Sequence, residues 1–481
     1  RKVNRMPMYK APLRDIKFLM RDVLDYFPHY ESLANGADAS PEMVDAILES
    51  IATLSEKVLA PLNLSGDKEG CHFKEAYKEF IAGGWQGLSF PEEFGGQNLP
   101  TSINLIKAEI IGSANWSFAM YPGLSMGCIN TILEYGSELQ KKQFMAPLIS
   151  GEWSGTMLST RNSVSCGSIE HKMGIRASAT AVLNFDGATG YLIGKENEGL
   201  QAMFTFMNTA RIGTALQGVC HAESAFQGSL AYAKDRQSMR ALSGKKQPES
   251  VADAIIWHPD VRKMLLTQRA IAEGGRAMIF HAAKIADKMF NATVAGDTKK
   301  QQAYDDELGF YTPILKGFIT ELGLESANLG MQVFGGHGYI HEHGMEQIAR
   351  DARIATLYEG TTGIQSLDLL GRKVLMSNKG QSIRDFSKVI FAFAKPHLFS
   401  RSPVGSMART LCKRAIEWNI MTLRIMVGAA KDRELVGSAS VDYLMYSGYV
   451  MMGYFWALQA EKSATLLESG KGEESNDFYT S

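Results

Sequence analysis

A chain of 481 residues is too long for one hydrophobic core, and with 45% apolar residues it reads as a soluble globular protein of two to four domains. The formal net charge of −1, with no cluster of basic residues interleaved with aromatics, argues against nucleic acid as the main partner. Five scattered cysteines (Cys71, Cys128, Cys166, Cys220 and Cys412) form no C-x-x-C pair, which argues against a disulfide framework or zinc knuckle and for a reducing compartment.

The opening, Arg1-Lys2-Val3-Asn4-Arg5, leads into mixed polar sequence rather than the apolar run of a secretory signal, and a start at Arg suggests that some N-terminal residues are missing. A helix-period run follows through Phe18, Leu19, Val23 and Leu24, and Gly36 and Pro41 separate this extension, residues 1–40, from the next block. Residues 41–158 read as a helical domain. Met43, Ile47, Ile51 and Leu54 form one apolar stripe, and Phe73, Ala76, Phe80 and Ile81 another. The small-residue stretch from Met120 to Cys128 is expected to open a helix, leaving room for a ligand chain or for close helix packing. No phosphate-binding glycine loop is present in the sequence.

Between 159 and 195 the pattern changes to strand-like alternation, as in the run Ala181 to Ile193. Two or three strands are marginal alone, so this middle β domain is either a small sheet lying on the helices or part of a larger one. Residues 196–378 then carry four helices: one from Gly199 to Tyr232, one starting at Pro259, one following Pro313 and ending before Gln332, and one starting at Thr362. This is the pattern of a helix bundle. A C-terminal helical extension, 379–481, includes a stretch without charges from Tyr443 to Ala460, whose tyrosines and glycines favour a buried or interface helix over a membrane span.

The stretch Leu357-Tyr358-Glu359-Gly360-Thr361-Thr362-Gly363-Ile364-Gln365 places one carboxylate in the loop ahead of a helix N-terminus. Thr362 and Gln365 have the spacing of a capping box, and Leu357 and Tyr358 are expected to give Glu359 apolar surroundings. A carboxylate held this way suits proton abstraction from carbon, although a loop glutamate that merely favours the helix dipole would read the same. His337, His341 and His343 invite a metal reading, but the glycines at 335, 336, 338 and 344 point to turns, and no metal is expected.

Taken together, these stretches resemble the acyl-CoA dehydrogenase family. The match is most specific in the ordered trio Gln332-Val333-Phe334-Gly335-Gly336-His337-Gly338-Tyr339, Arg350-Asp351-Ala352-Arg353 and Leu357 to Gln365. Lys172-Met173-Gly174-Ile175-Arg176-Ala177-Ser178 and Tyr232-Ala233-Lys234-Asp235-Arg236 support it, and it covers most of residues 41–378. The opening and the C-terminal extension look like a large-subunit branch similar to the 3-methylmercaptopropionyl-CoA dehydrogenases.

The resemblance implies a mainly α fold with a small middle β domain, and FAD-dependent α,β-dehydrogenation of an acyl-CoA. Glu359 is the implied base. Ala210 precedes Arg211, where some relatives carry the carboxylate instead, and this absence strengthens Glu359. The implied flavin contacts are Arg236 and Ser238, then Gln332, Gly335 and Gly336 toward a neighbouring subunit's FAD, with Thr361 and Gln365 beside the base. Asn208, Arg211 and Gly360 are the implied substrate-binding residues, Arg211 reading equally as a salt-bridge residue at the core edge. An electron-transferring flavoprotein is the implied acceptor, a homodimer or homotetramer the implied assembly, and the bacterial cytoplasm or the mitochondrial matrix the implied location. An acyl-CoA oxidase and a non-catalytic scaffold of the same fold are the alternatives. After Thr160 the sequence departs from the family, passing straight to Arg161 without the Thr-Glu-Pro flavin segment and most of the β domain. Either residues are missing there or a true deletion removes much of the flavin cradle, and weak or absent FAD with a mobile β region is expected.

Overall fold

The computed structural model of the chain describes residues 8–71, 73–154 and 163–480; along the helix that starts at Gly199, the side chains of 200, 201 and 203–209 lie outside the description. The Thr160–Arg161 junction lies outside the described residues as well.

The N-terminal extension folds as α1, Leu13–Phe18, which continues as wider turns to Val23, and α2, Tyr26–Glu31. Next come α3, Pro41–Leu54, α4, Leu62–Glu69, and α5, Lys74–Ala82. Ser40 caps α3 by accepting from the Met43 N–H, and Pro41 sits in its first turn, where the missing donor costs nothing. The buried stripe of α3 runs through Val44, Ile47, Leu48 and Ile51, whereas Met43 is 49% exposed and does not belong to it. Then α6, Thr101–Ala114, α7, Trp116–Tyr135, and α8, Glu138–Ile149, complete the N-terminal helical region. The Met120–Cys128 stretch lies inside α7 instead of opening a helix. Pro122 is tolerated there because one lost hydrogen bond is small against the burial of Phe118, Ile129 and Ile132.

The middle region is a single antiparallel pair, β1, Val164–Ile169, and β2, Ala181–Phe185, in register Val164 to Phe185 with an irregularity between Cys166 and Ser168. The alternation foreseen up to Ile193 stops at Phe185, and almost every residue of both strands is exposed. Since neither face is covered, the pair does not lie on the helices as a packed sheet.

The bundle is built from α9, Gly199–Asp235, α10, Pro259–Val294, and α11, Thr298–Phe334. The fourth helix begins with α13, Thr362–Leu367, and winds on to Ser377, while α12, Met345–Arg353, sits between α11 and the loop before it. The third helix begins at Thr298 and passes through Pro313 to Phe334, not after the proline and short of Gln332 as its sequence suggests. Burial of Ile314, Leu315, Phe318 and Ile319 on both sides outweighs the roughly 3 kcal/mol that an interior proline costs. α9 and α11 cross closely enough that a Cβ at Gly218 would stand 2.3 Å from the Ile319 carbonyl oxygen.

The C-terminal extension forms α14, Gln381–Ala394, α15, Pro403–Ala429, α16, Glu434–Ser469, and the short α17, Asn476–Thr480. Fully buried Trp418 anchors it, and α16 packs against α11 and α13, with Ser440 and Ser366 hydrogen-bonded at 3.0 Å. Among the described residues, no helix is long and apolar enough to cross a membrane. One ionic knot ties the regions together: wholly buried Arg276 on α10 donates to Glu109 of α6 at 2.5 Å and to Glu223 of α9 at 2.7 Å. The carboxylates sit on two different helices, so the guanidinium fork fixes where the N-terminal helices meet the bundle.

Candidate active site

Glu359 stands in the loop between α12 and α13, half-buried, with its backbone in the left-handed region at φ 55°, and Gly360 follows at φ 90°. Glycine takes that conformation freely, whereas a glutamate is held there against a cost of about 1–3 kcal/mol. The holding groups come from two helices. Gln365, wholly buried on α13, donates from Nε2 to the Glu359 carbonyl at 2.9 Å, and Lys316, wholly buried on α11, donates from Nζ to the Gly360 carbonyl at 2.5 Å. Thr362 Oγ1 donates to Glu321 Oε1 of α11 at 2.5 Å. Both carbonyls of the turn are thus occupied, while the Glu359 N–H has no acceptor among the described residues.

The helix begins at Thr362, as the sequence implies, but its cap is not the Thr362–Gln365 box. Thr361 is the capping residue, accepting from the Ile364 N–H at 3.3 Å, which frees Gln365 to clamp the base loop. The apolar wall is also half of what the sequence suggests. Leu357 is 44% exposed, and Tyr358 alone turns inward, its hydroxyl bonded to Gln217 of α9.

Arg211 of α9 pairs with Asp368 at 3.2 Å, in the fourth helix just beyond α13, and its Nε is buried without a partner among the described residues. The salt-bridge reading is therefore correct as far as it goes, with one donor left over. Gln365 Oε1 is a second buried atom at this site without a partner among the described residues. Asn208 lies one turn of α9 before Arg211, and its side chain is outside the description.

The residues implied for the dinucleotide gather at the other end of α9 and α11. Arg236, exposed, ends α9, and Ser238 lies two residues on, its N–H donating to the Asp253 carbonyl. Gln332 is exposed on the last turn of α11, and Gly335 and Gly336 form the turn after it. A Cβ at either glycine would meet nothing within 4 Å, so their backbone faces open space. Tyr232 of α9 bonds His337 Nδ1 at 2.9 Å and stacks on Phe334 at 4.1 Å, drawing the two helix ends together. Burial first, then the charges of neighbouring His343 and Arg236, hold the His337 imidazole below its ordinary pKa.

The Arg350-Asp351 pair does structural work. Arg350 clasps Asp67 of α4 with both terminal nitrogens, at 3.0 and 2.6 Å, and donates to the Met173 carbonyl at 2.9 Å. Buried Asp351 accepts from the Ile175 N–H at 2.5 Å, and Gln217 donates to the Asp351 carbonyl at 3.0 Å. Burial pushes the Asp351 carboxyl up to about 7. The segment 172–178 is thereby pinned to α12, next to the Gln217–Tyr358 contact. His341 with Asp67 and Glu346 offers ligand atoms within 4.8 Å of one another, but Arg350 already occupies both carboxylates.

Sequence reasoning overlooked Lys316 and Glu321. A lysine inside the run Pro313-Ile314-Leu315-Lys316-Gly317-Phe318-Ile319 was the available signal, since a lone cation among apolar residues has to find a partner.

The family-model matches agree with this architecture: acyl-CoA dehydrogenase N-terminal domain over residues 41–152, acyl-CoA dehydrogenase C-terminal domain over 197–375, and acetyl-CoA dehydrogenase C-terminal-like over 383–481. The chain belongs to the acyl-CoA dehydrogenase family and is an oxidoreductase enzyme. It is 33% identical to 3-methylmercaptopropionyl-CoA dehydrogenase of Ruegeria pomeroyi over 554 aligned positions, covering 96% of this chain and 92% of that one, in keeping with the large-subunit branch. A broad-specificity linear acyl-CoA dehydrogenase of Mycobacterium tuberculosis is 24% identical over 579 positions, covering 98% and 94%. The crystal structure of an acyl-CoA dehydrogenase complexed with FAD from Bacillus anthracis shares the fold at a TM-score of 0.73 with 19% identity, covering 96% and 88%. Both sequence alignments run over more positions than the 481 residues of this chain, so each relative has residues without a counterpart here.

Proposed function

We propose that the chain oxidises an acyl-CoA thioester to the 2-enoyl-CoA with FAD as its cofactor, Glu359 taking the α-proton. The observation that carries this reading is the clamped turn at Glu359–Gly360, whose two carbonyls are held by Gln365 and Lys316 while the Glu359 N–H has no acceptor among the described residues. As the α-proton leaves, negative charge grows on the thioester oxygen, and an N–H fixed in advance stabilises that charge without reorganising. The same residue then supplies both the proton acceptor and the oxygen's donor, so a displaced turn would lose both at once.

The open backbone at Gly335 and Gly336, with exposed Arg236 and Gln332, fits a dinucleotide: glycine permits close approach to a diphosphate, and arginine adds charge-assisted hydrogen bonds. Ser238, Thr361 and Gln365 are further contacts to it, and Gln365 Oε1 is a buried acceptor still awaiting a donor. When bound, FAD supplies the hydride acceptor for the β-hydrogen. Arg211, through its unpartnered Nε, and Asn208 hold the thioester arm, and Gly360 lines the approach to it. Because Gln332, Gly335 and Gly336 are the residues that resemblance assigns to a neighbouring subunit's cofactor, a homodimer or homotetramer is the working assembly. An electron-transferring flavoprotein is the acceptor.

A panel of acyl-CoA thioesters added anaerobically to the FAD-loaded protein tests the reading. Bleaching of the flavin that persists until an electron-transferring flavoprotein is added is the expected result. Rapid recovery in air with release of peroxide would make the protein an oxidase, and a protein that stays colourless with added FAD would make it a scaffold.

A further inference from the structure

Lys316 lies halfway along α11, and every other side chain from Pro313 to Ile319 is apolar or absent. Complete burial of a lysine is expensive unless its ammonium is used, and a methionine would fill the same space without the penalty. Its one hydrogen-bond acceptor among the described residues is the Gly360 carbonyl, at 2.5 Å, immediately after the base. Two carboxylates act on it electrostatically: Glu321, five residues along its own helix, and Glu359 in the loop. Arg211 opposes them from α9. From α16, Leu444 packs against neighbouring Gly317 and brings no charge.

We propose that Lys316 is a positioning residue for the base, a role that rests on Glu359 being the base: its ammonium fixes the Gly360 carbonyl and so holds the turn that presents the Glu359 carboxylate and N–H. Burial draws the lysine down to about 8, so the ammonium is its main form near neutral pH and is progressively lost above it. Glu321 is engaged by Thr362, which keeps that carboxylate from taking the lysine away from the turn. Family resemblance gave no reason to single this lysine out; the contact with Gly360 does.

The test compares wild type with Lys316→Met, Lys316→Gln and Lys316→Arg as FAD-loaded full-length proteins. The readouts are the pH profile of anaerobic flavin reduction and the exchange of the acyl-CoA α-hydrogen in deuterated buffer, the latter reading the proton step without the flavin. Lys316→Gln keeps a donor and drops the charge, so it separates charge from scaffolding. Lys316→Met is expected to slow both readouts about tenfold below pH 8, the gap to wild type narrowing above it as the wild-type ammonium is itself lost, with Lys316→Gln showing part of that loss and Lys316→Arg restoring the rate. A wild-type rate in Lys316→Met, or a loss of equal size at every pH, overturns the proposal. Glu359→Gln run alongside keeps the two claims apart: if it still exchanges and reduces at the wild-type rate, the base assignment has failed; if it is inactive while the lysine variants keep the wild-type rate and profile, only the lysine's role has failed.

Discussion

The side-chain amide of Gln365 donates to the main-chain carbonyl of Glu359 at 2.9 Å, so the helix that follows the base reaches back to hold it. Replacing Gln365 by leucine leaves that carbonyl without its partner in a half-buried turn. The expected outcome is a loss of about 1–3 kcal/mol in urea unfolding and a roughly tenfold slower flavin reduction, as the left-handed conformation at Glu359 loses one of its supports. Reduction at the wild-type rate would show that the clamp does not set the base's geometry.

How much of this was legible in the sequence depended on whether a signal was local. The starts of α10 at Pro259 and of α13 at Thr362, and the carboxylate ahead of α13, follow from residues next to one another in the chain. The capping partner was misassigned because two adjacent threonines offer the same side chain, and only Glu321, 41 residues upstream, decides that Thr362 turns away. The course of α11 through Pro313 was hidden for a similar reason: local propensity opposes it, and burial against α9 and α10 overrides that propensity. The functions of Arg350 and Asp351 could not be read at all before their partners Asp67 and Ile175 were seen.

Asp351 makes stability depend on pH in an uncommon direction for a carboxylate. Burial raises its folded pKa from 3.8 to about 7, so the folded state binds the proton more tightly than the unfolded chain does. Its contribution is therefore fully present below about pH 4 and is lost as pH rises through about 7, by at most about 4 kcal/mol. Asparagine keeps an acceptor for the Ile175 N–H and cannot ionise. In urea titrations from pH 4 to 8, Asp351→Asn is expected to gain on wild type steadily as pH rises. A constant difference between the two proteins would contradict the assignment.

Arg276 carries the junction between the N-terminal helices and the bundle. Arg276→Met leaves Glu109 and Glu223 facing each other in the core and is expected to cost about 3–5 kcal/mol. The triple variant Arg276→Met, Glu109→Gln, Glu223→Gln removes the stranded charges and should recover a substantial part of that loss. Equal instability of the single and triple variants would show that packing, rather than charge, is what the arginine supplies.

The account turns on Glu359 as the proton acceptor, and the most direct measurement is single-turnover flavin reduction by an acyl-CoA in Glu359→Gln. The amide keeps the size and the backbone N–H but cannot take the proton, so FAD and acyl-CoA should still bind while reduction falls by at least about a thousandfold. Reduction within tenfold of wild type would contradict the account.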